Sequence, residues 1–231
     1  MTPALAMEPC PPALPQRRRT TRKASPGLRR IAGSCPSASL MDEYEKVADG
    51  DAKDDPRYNA TFYFIGDAYN NGKAVLANWG WKKYQTIYKK PDEAQRSGIN
   101  MRVMRYTEVL LNMAEVQNAL GNDNGTDGAI ALLNEVRSRV DVAMPNYPTA
   151  KYPVNSADEV LKAIVHERRV ELAGEQIRNR DILRWRSLGK IPAVIPEPIS
   201  YMAPKHLLAP IPQAEINSNA VLTEADQNTG W

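Results

Sequence analysis

The stretch that most constrains this chain runs from Ile164 to Trp185, IVHERRVELAGEQIRNRDILRW. Leu161, Ile164, Val165, Leu172, Ala173, Ile177 and Leu183 recur at helical spacing, so one stripe can face a core. The remaining positions are densely and regularly charged. Arg168 precedes Glu171, Glu175 precedes Arg178, Arg178 precedes Asp181, and Asp181 precedes Arg184, each by three residues. Side chains three or four apart face each other on a helix, so the pattern predicts an ion ladder along the flank of a long packed helix. Exposed helix pairs contribute only roughly 0.3–0.5 kcal/mol each, so such a ladder orients a helix more than it stabilises one. Ser156-Ala157-Asp158-Glu159 supplies a capping box that opens the helix, and Gly189 with Pro192 ends it. Gly174 lies inside it, at a cost of about 1 kcal/mol relative to alanine, and marks a kink or a close helix contact.

Three more segments accompany this one. Arg105-Tyr106-Thr107-Glu108-Val109-Leu110-Leu111-Asn112-Met113-Ala114-Glu115 lies in a helical pattern over 101–120, with Val109, Met113 and Leu120 close to one stripe and Leu110 beside it. Leu133-Asn134-Glu135-Val136-Arg137-Ser138-Arg139 closes a second helix, for which Thr126 or Asp127 is the expected cap. Pro210-Ile211-Pro212-Gln213-Ala214-Glu215-Ile216 leads to the terminal Gln227-Asn228-Thr229-Gly230-Trp231. Together, in this order, the four segments resemble the C-terminal region of SusD/RagB proteins over residues 37–231. The resemblance implies a mainly α fold: a tetratricopeptide-like helical scaffold, a small β/loop insert and an extended Pro-rich C-terminal strap. It further implies a surface-exposed outer-membrane lipoprotein that captures nutrient. Such a protein sits as a lid on a SusC-like TonB-dependent transporter and delivers oligosaccharide to it without catalysis. It also implies members longer than this chain, with an N-terminal half of signal, lipid-anchor cysteine and further helical repeats.

The net charge of +3 is unevenly placed. Residues 1–36 carry Arg17, Arg18, Arg19, Arg22, Lys23, Arg29 and Arg30 against Glu8, which leaves the remainder at −3. A nucleic-acid partner would rest wholly on that segment, and none is expected. Residues 1–36 read as a disordered basic Pro/Arg-rich tail, from a wrong start or frame, because neither Cys10 nor Cys35 follows the apolar run of an export signal. Two cysteines make no disulfide framework and no thiolate metal site.

Residues 37–231 read as one domain. Ser39 to Glu45 suggests a short helix, and Asp54-Asp55-Pro56-Arg57 a solvated turn. Residues 58–88 hold more than half of the aromatics. Asn71-Gly72 is a type I′ signal for a hairpin between Thr61–Ile65 and Lys73–Leu76, and Trp81–Tyr88 suggests a further strand. Flat amphipathic rings suit sugar C–H faces, with neighbouring amides bonding the hydroxyls. Trp79, Trp81, Tyr84, Asn78 and Tyr69 are therefore the candidate ligand-binding residues, with Asn70, Gln85 and Lys82 as further donors. Most such rings are nevertheless core, since aromatics are buried for their area.

No cofactor, metal or catalytic group is expected. Asp123-Asn124-Gly125-Thr126-Asp127-Gly128 has glycine at the third position of a calcium loop and Asn134 where a bidentate glutamate is needed. His166 reads as one more member of the ladder, and His206 lies far from it. Glu167, Glu171, Glu175 and Asp181 could supply a glycosidase pair by spacing. Each has an arginine within a turn, however, which depresses the raised-pKa acid that chemistry requires. The second class of function is a helical protein-interaction scaffold with no sugar site of its own.

Overall fold

The structure, a computed structural model, describes residues 36–45, 54–69, 74–75, 79–83, 102–191, 205 and 208–231. It divides into two compact units, Met1–Arg178 and Asn179–Trp231. The basic segment 1–35 lies outside the described residues.

The first unit is built on an antiparallel helix pair. Helix α3 (Tyr106–Ala119) and helix α4 (Ala129–Arg137) are joined by a short turn and pack on helix α5 (Ala157–Glu171). Their contact is apolar: Leu110, Leu111 and Ala114 of α3 meet Leu133 and Val136 of α4 and Val160, Ala163 and Ile164 of α5, all buried. Neither Thr126 nor Asp127 caps α4. Gly128 is the cap and makes no side-chain bond, because the chain turns so tightly that a Cβ at 128 would fall 2.5 Å from the Asn124 carbonyl oxygen. Half of the expected box at the start of α5 forms: Ser156 Oγ accepts from Glu159 N, but the Glu159 carboxylate accepts from Asn155 N at 2.7 Å and not from Ser156 N. Asn134 holds the proline-rich loop, its amide accepting from Tyr147 N at 2.7 Å and donating to Tyr147 O at 3.1 Å.

Ahead of this pair come α1 (Ala38–Glu43) and α2 (Pro56–Thr61), then four short strands: β1 (Phe62–Tyr63), β2 (Ala68–Tyr69), β3 (Ala74–Val75) and β4 (Gly80–Trp81). The sequence signal placed one hairpin around Asn71-Gly72. The pairing is divided differently. Tyr69 pairs with Ala74 and Ala68 with Val75 in one antiparallel ladder, whereas Phe62 pairs with Trp81 and Tyr63 with Gly80 in a separate one; Asn71-Gly72 itself lies outside the described residues. Met41, Tyr44 and Phe62 form a second core with Val170 of α5. Tyr44, Tyr58 and Phe62 meet edge to face with centroids 5.4–5.6 Å apart.

The long helix expected from Ser156 to Leu188 is two helices. Helix α5 ends at Glu171, and Gly174 (φ +78°) and Gln176 (φ +62°) turn the chain through left-handed backbone. The new helix α6 (Arg178–Ser187) belongs to the second unit but for its first residue, and there Arg184 reaches Asp181 at 3.1 Å. The C-terminal strap also carries more local structure than its prolines suggest. Helix α7 (Gln213–Ser218) and a 3-10 turn (Glu224–Asp226) form within it. The Gln227 amide exchanges two hydrogen bonds with Ile211, and Trp231 Nε1 donates to Leu208 O at 3.0 Å. The terminal Gln-Asn-Thr-Gly-Trp thus folds back on the Pro-Ile-Pro segment. Ile216 is buried, while Trp231 stays exposed beneath Lys205.

Candidate functional site

The charged face of α5 is not a solvent-exposed ladder. Glu167 and His166 are fully buried, and Arg168 and Glu171 nearly so. Burying charge is costly unless each group is paired and bonded. The partners come from other elements, not from the next turn. Glu167 takes Arg57 Nη1 of α2 on one oxygen at 2.8 Å, and Arg137 Nη1 of α4 on the other at 2.6 Å. Tyr147 Oη donates to that second oxygen at 2.9 Å. Arg137 forks onto Glu45 at 3.0 and 2.8 Å and lies 4.5 Å over the Tyr147 ring. Arg57 forks onto Asp55, which also caps α2. The Asp54–Arg57 stretch, expected to be a solvated turn, therefore carries two buried members of the network.

The network continues to the end of α5. Glu171 receives Arg105 Nη1 at 2.6 Å, Arg139 Nη1 at 2.8 Å and Arg57 Nη1 at 3.1 Å. Glu175 is held by Arg105 and by Lys83, whose ammonium also donates to Glu171 O at 2.7 Å. On the other flank, His166 Nδ1 lies 2.7 Å from Glu43, which Arg169 and Tyr152 also reach. No partner for this histidine is legible along the chain. The fold supplies two, since its Nε2 is 3.3 Å from Glu45.

This electrostatic environment decides what the carboxylates can do. Burial works to raise the Glu171 pKa, but Arg57, Arg105 and Arg139 outweigh it and hold the group at about 2. Glu167 and Glu175 are likewise pulled below the ordinary range by their cations, against burial. A glycosidase acid needs the opposite shift. Glu45, His166 and Glu167 bring three ligand atoms within 4.8 Å of one another. However, Arg137 donates to both carboxylates, so a guanidinium already stands where a cation would sit.

Beside this network lies the aromatic insert. Trp79 and Trp81 are half-buried and pack against the Met41–Tyr44–Phe62–Val170 cluster. The Trp81 ring tilts against Phe62 with centroids 5.5 Å apart. Its edge approaches Gly174 so closely that a Cβ there would sit 3.2 Å from Cε3 and Cζ3. Lys82 donates to Asn59 O at 3.0 Å and stands over Tyr63.

Residues 78–201, more than half of the chain and spanning β4 to the end of α6, match the model of the SusD family. The chain belongs to the SusD family. It is similar to SusD-like protein P25 of Formosa agariphila, 33% identical over 140 residues, which is 57% of this chain and 25% of that protein. It is similar also to SusD-like protein P2 of the same organism, 30% identical over 149 residues, 61% of this chain and 28% of that one. The chain thus spans about a quarter of the length of the curated relatives it matches. A solved SusD-like carbohydrate-binding protein from Bacteroides fragilis shares the fold, with a TM-score of 0.58 and 23% identity over 79% of this chain and 47% of that one.

Within this SusD-family fold, the predicted ligand residues are distributed unevenly. Trp79 and Trp81 lie two apart on the β4 edge and share one cluster. Tyr69 is in β2, paired through its backbone with Ala74. Asn78 and Tyr84, with Asn70 and Gln85, lie outside the described residues. Sequence reasoning missed Arg57, Arg137, Glu45 and Tyr147 as partners of α5, and Asp55 as the carboxylate that holds Arg57. Arginines directly before or inside apolar helical runs, such as Arg137 after Val136, were the available signal.

Proposed function

We propose that this chain is a non-catalytic, carbohydrate-binding component of a nutrient-uptake system of the outer membrane. It acts as a surface-exposed lipoprotein that passes oligosaccharide to a SusC-like TonB-dependent transporter. The family match over 78–201 carries this reading, because it takes in both Trp79 and Trp81. Support comes from the Bacteroides fragilis relative, which is described as carbohydrate-binding. The depressed carboxyls around α5 suit a scaffold and not an acid–base pair. No described helix is long and apolar enough to cross a membrane.

Trp79, Trp81, Tyr84, Asn78 and Tyr69 form the proposed ligand surface, with the half-buried rings as stacking platforms. The test is calorimetric titration of the purified protein with a panel of neutral and acidic oligosaccharides, repeated on Trp79→Ala. A loss of affinity of roughly tenfold, about 1.4 kcal/mol, with an unchanged thermal midpoint supports the site. Unaltered affinity moves it away from β4.

A second reading, a helical interaction scaffold with no sugar site, is favoured by one observation: an apolar face of α3 is exposed. Absence of binding to every glycan tested, with a transporter partner still captured, would select it.

A further inference from the structure

Trp81 and Lys83 grip the same turn. Trp81 sets its ring edge against Gly174. Lys83, two residues on, pairs with the neighbouring Glu175 and donates to Glu171 O at 2.7 Å. Glu171 is the last residue of α5, and its carbonyl is one of those that a helix end leaves without an intrahelical partner. A cation there also suits the negative end of the helix dipole. The Lys83 side chain is 25% exposed and that of Glu175 7%, so the pair is shielded from the solvent that makes surface ion pairs weak.

The end of α5 does not depend on this lysine. Arg105, the residue that opens α3, donates from Nη2 to the same carbonyl at 2.7 Å and also holds both Glu171 and Glu175. Strand β4 is placed differently. It pairs with β1, and the Lys82 and Lys83 amides donate to Thr61 O at 2.8 and 3.3 Å. Together with Lys82 Nζ on Asn59 O, these bonds lead back to α2 and β1. The Lys83 ammonium ties the end of the strand to α5 itself. Its loss would leave Glu171 and Glu175 paired through Arg105, so no charge is stranded, but it would slacken the segment that carries Trp81.

We propose that Lys83 is a positioning residue for ligand binding: its ammonium fastens the end of β4 to the α5 terminus and so fixes the Trp81 ring as a stacking platform. The inference rests on the ligand surface proposed above. Lys83 acts through Trp81 and touches no sugar. A ring ordered before the sugar arrives removes the loss of side-chain freedom that binding would otherwise impose, and this is how a tether remote from the ligand adds affinity. Phe62 at 5.5 Å and Gly174 at the ring edge supply the apolar half of the seat. Lys83 supplies the polar half.

The test joins two readouts on the full chain. One is calorimetric titration with cellohexaose, laminarihexaose, mannohexaose and hexagalacturonate. The other is fluorine NMR of protein carrying fluorotryptophan, with Trp81 assigned through Trp81→Phe. Lys83→Met keeps the stem and removes the charge. It is expected to shift or broaden the Trp81 resonance and to weaken the sugar that wild type binds best by about fivefold, the ordering of roughly one side chain. Lys83→Arg, which keeps the charge, should recover both. Asn134→Ala, which frees the proline-rich loop, should lower the urea midpoint and move neither. Equal weakening by Asn134→Ala assigns the loss to stability and overturns the proposal. So does an unmoved Trp81 resonance, or a Lys83→Arg variant that recovers no affinity. If Trp79→Ala weakens binding and Lys83→Met does not, Lys83 alone is struck out and the ligand surface stands. If wild type binds none of these sugars, the ligand surface falls and this role of Lys83 falls with it. Lys83→Gln stands in, with the same expected results, if the methionine variant does not fold.

Discussion

Arg137 and Glu167, thirty residues apart in the chain, meet at 2.6 Å with neither side chain exposed to solvent. Each is shared: the arginine also holds Glu45, and the glutamate also holds Arg57. The pair therefore ties α4 and α5 to α2, through Arg57, and to the residues just after α1, through Glu45. Removing one member strands the others in a dry site. Arg137→Met is expected to destabilise the protein by about 3–5 kcal/mol, read as a fall in the urea midpoint at constant slope. A loss under 1 kcal/mol would mean that water reaches the cluster.

The acid limb of stability follows from Glu171 and Glu43, both held at about 2, well below the ordinary 4.5 of a glutamate. A depressed folded pKa gives stability that is complete above the unfolded pKa and is lost as pH falls through the folded one. Midpoints should therefore hold down to about pH 4.5 and then drop steeply toward pH 2, with Glu171 alone accounting for on the order of 3 kcal/mol. Glu171→Gln should flatten that limb. A wild-type profile already flat between those limits would refute the assignment.

His166 acts with the opposite sign. Burial lowers its pKa, but the hydrogen bond to Glu43 and the nearby carboxylates of Glu45 and Glu167 outweigh that and raise it above 6.5. Its contribution is complete below pH 6.5 and fades as pH rises through the folded value. Compared with His166→Gln, the wild type should lose relative stability on the alkaline side, and the imidazole should titrate above pH 6.5 by NMR. Titration below that value would contradict the Glu43 and Glu45 contacts.

Gly174 joins the charged and aromatic halves of the unit. An alanine there would take a left-handed φ of +78° and press its Cβ to 3.2 Å from the Trp81 ring. Gly174→Ala should cost about 1–2 kcal/mol for the backbone alone and shift the tryptophan emission as Trp81 is displaced. A silent spectrum would separate Gly174 from Trp81.

The helices were legible in the chain because period and capping act locally. Ser156 caps α5 as its sequence suggests, and the apolar spacing over 101–120 identifies α3. Which stripe of α3 faces inward was not legible. Val109, Met113 and Leu120 look as apolar as Leu110, Leu111 and Ala114, and only the second set is buried. The ladder misled for a related reason. Charged side chains usually sit in water, and what reverses that here is a set of partners such as Arg57, 110 residues from Glu167. Spacing within one helix carries no trace of them. Gly174 was noticed for its helix cost, but its left-handed backbone ends α5 outright. The tryptophans were found by composition, which cannot separate a core ring from a ligand platform.

The reach of these contacts also orders assembly in time. Tyr44 bonds the Val170 carbonyl and Arg169 bonds Glu43, both across 126 residues. During synthesis from the N-terminus, α1 and α2 emerge long before α5 exists, so Glu45, Asp55 and Arg57 must stay hydrated until it arrives. Helices α3 and α4 can pair early, because their contacts are local. The first unit therefore closes late, around its last helix, with the slow folding that such distant pairings impose.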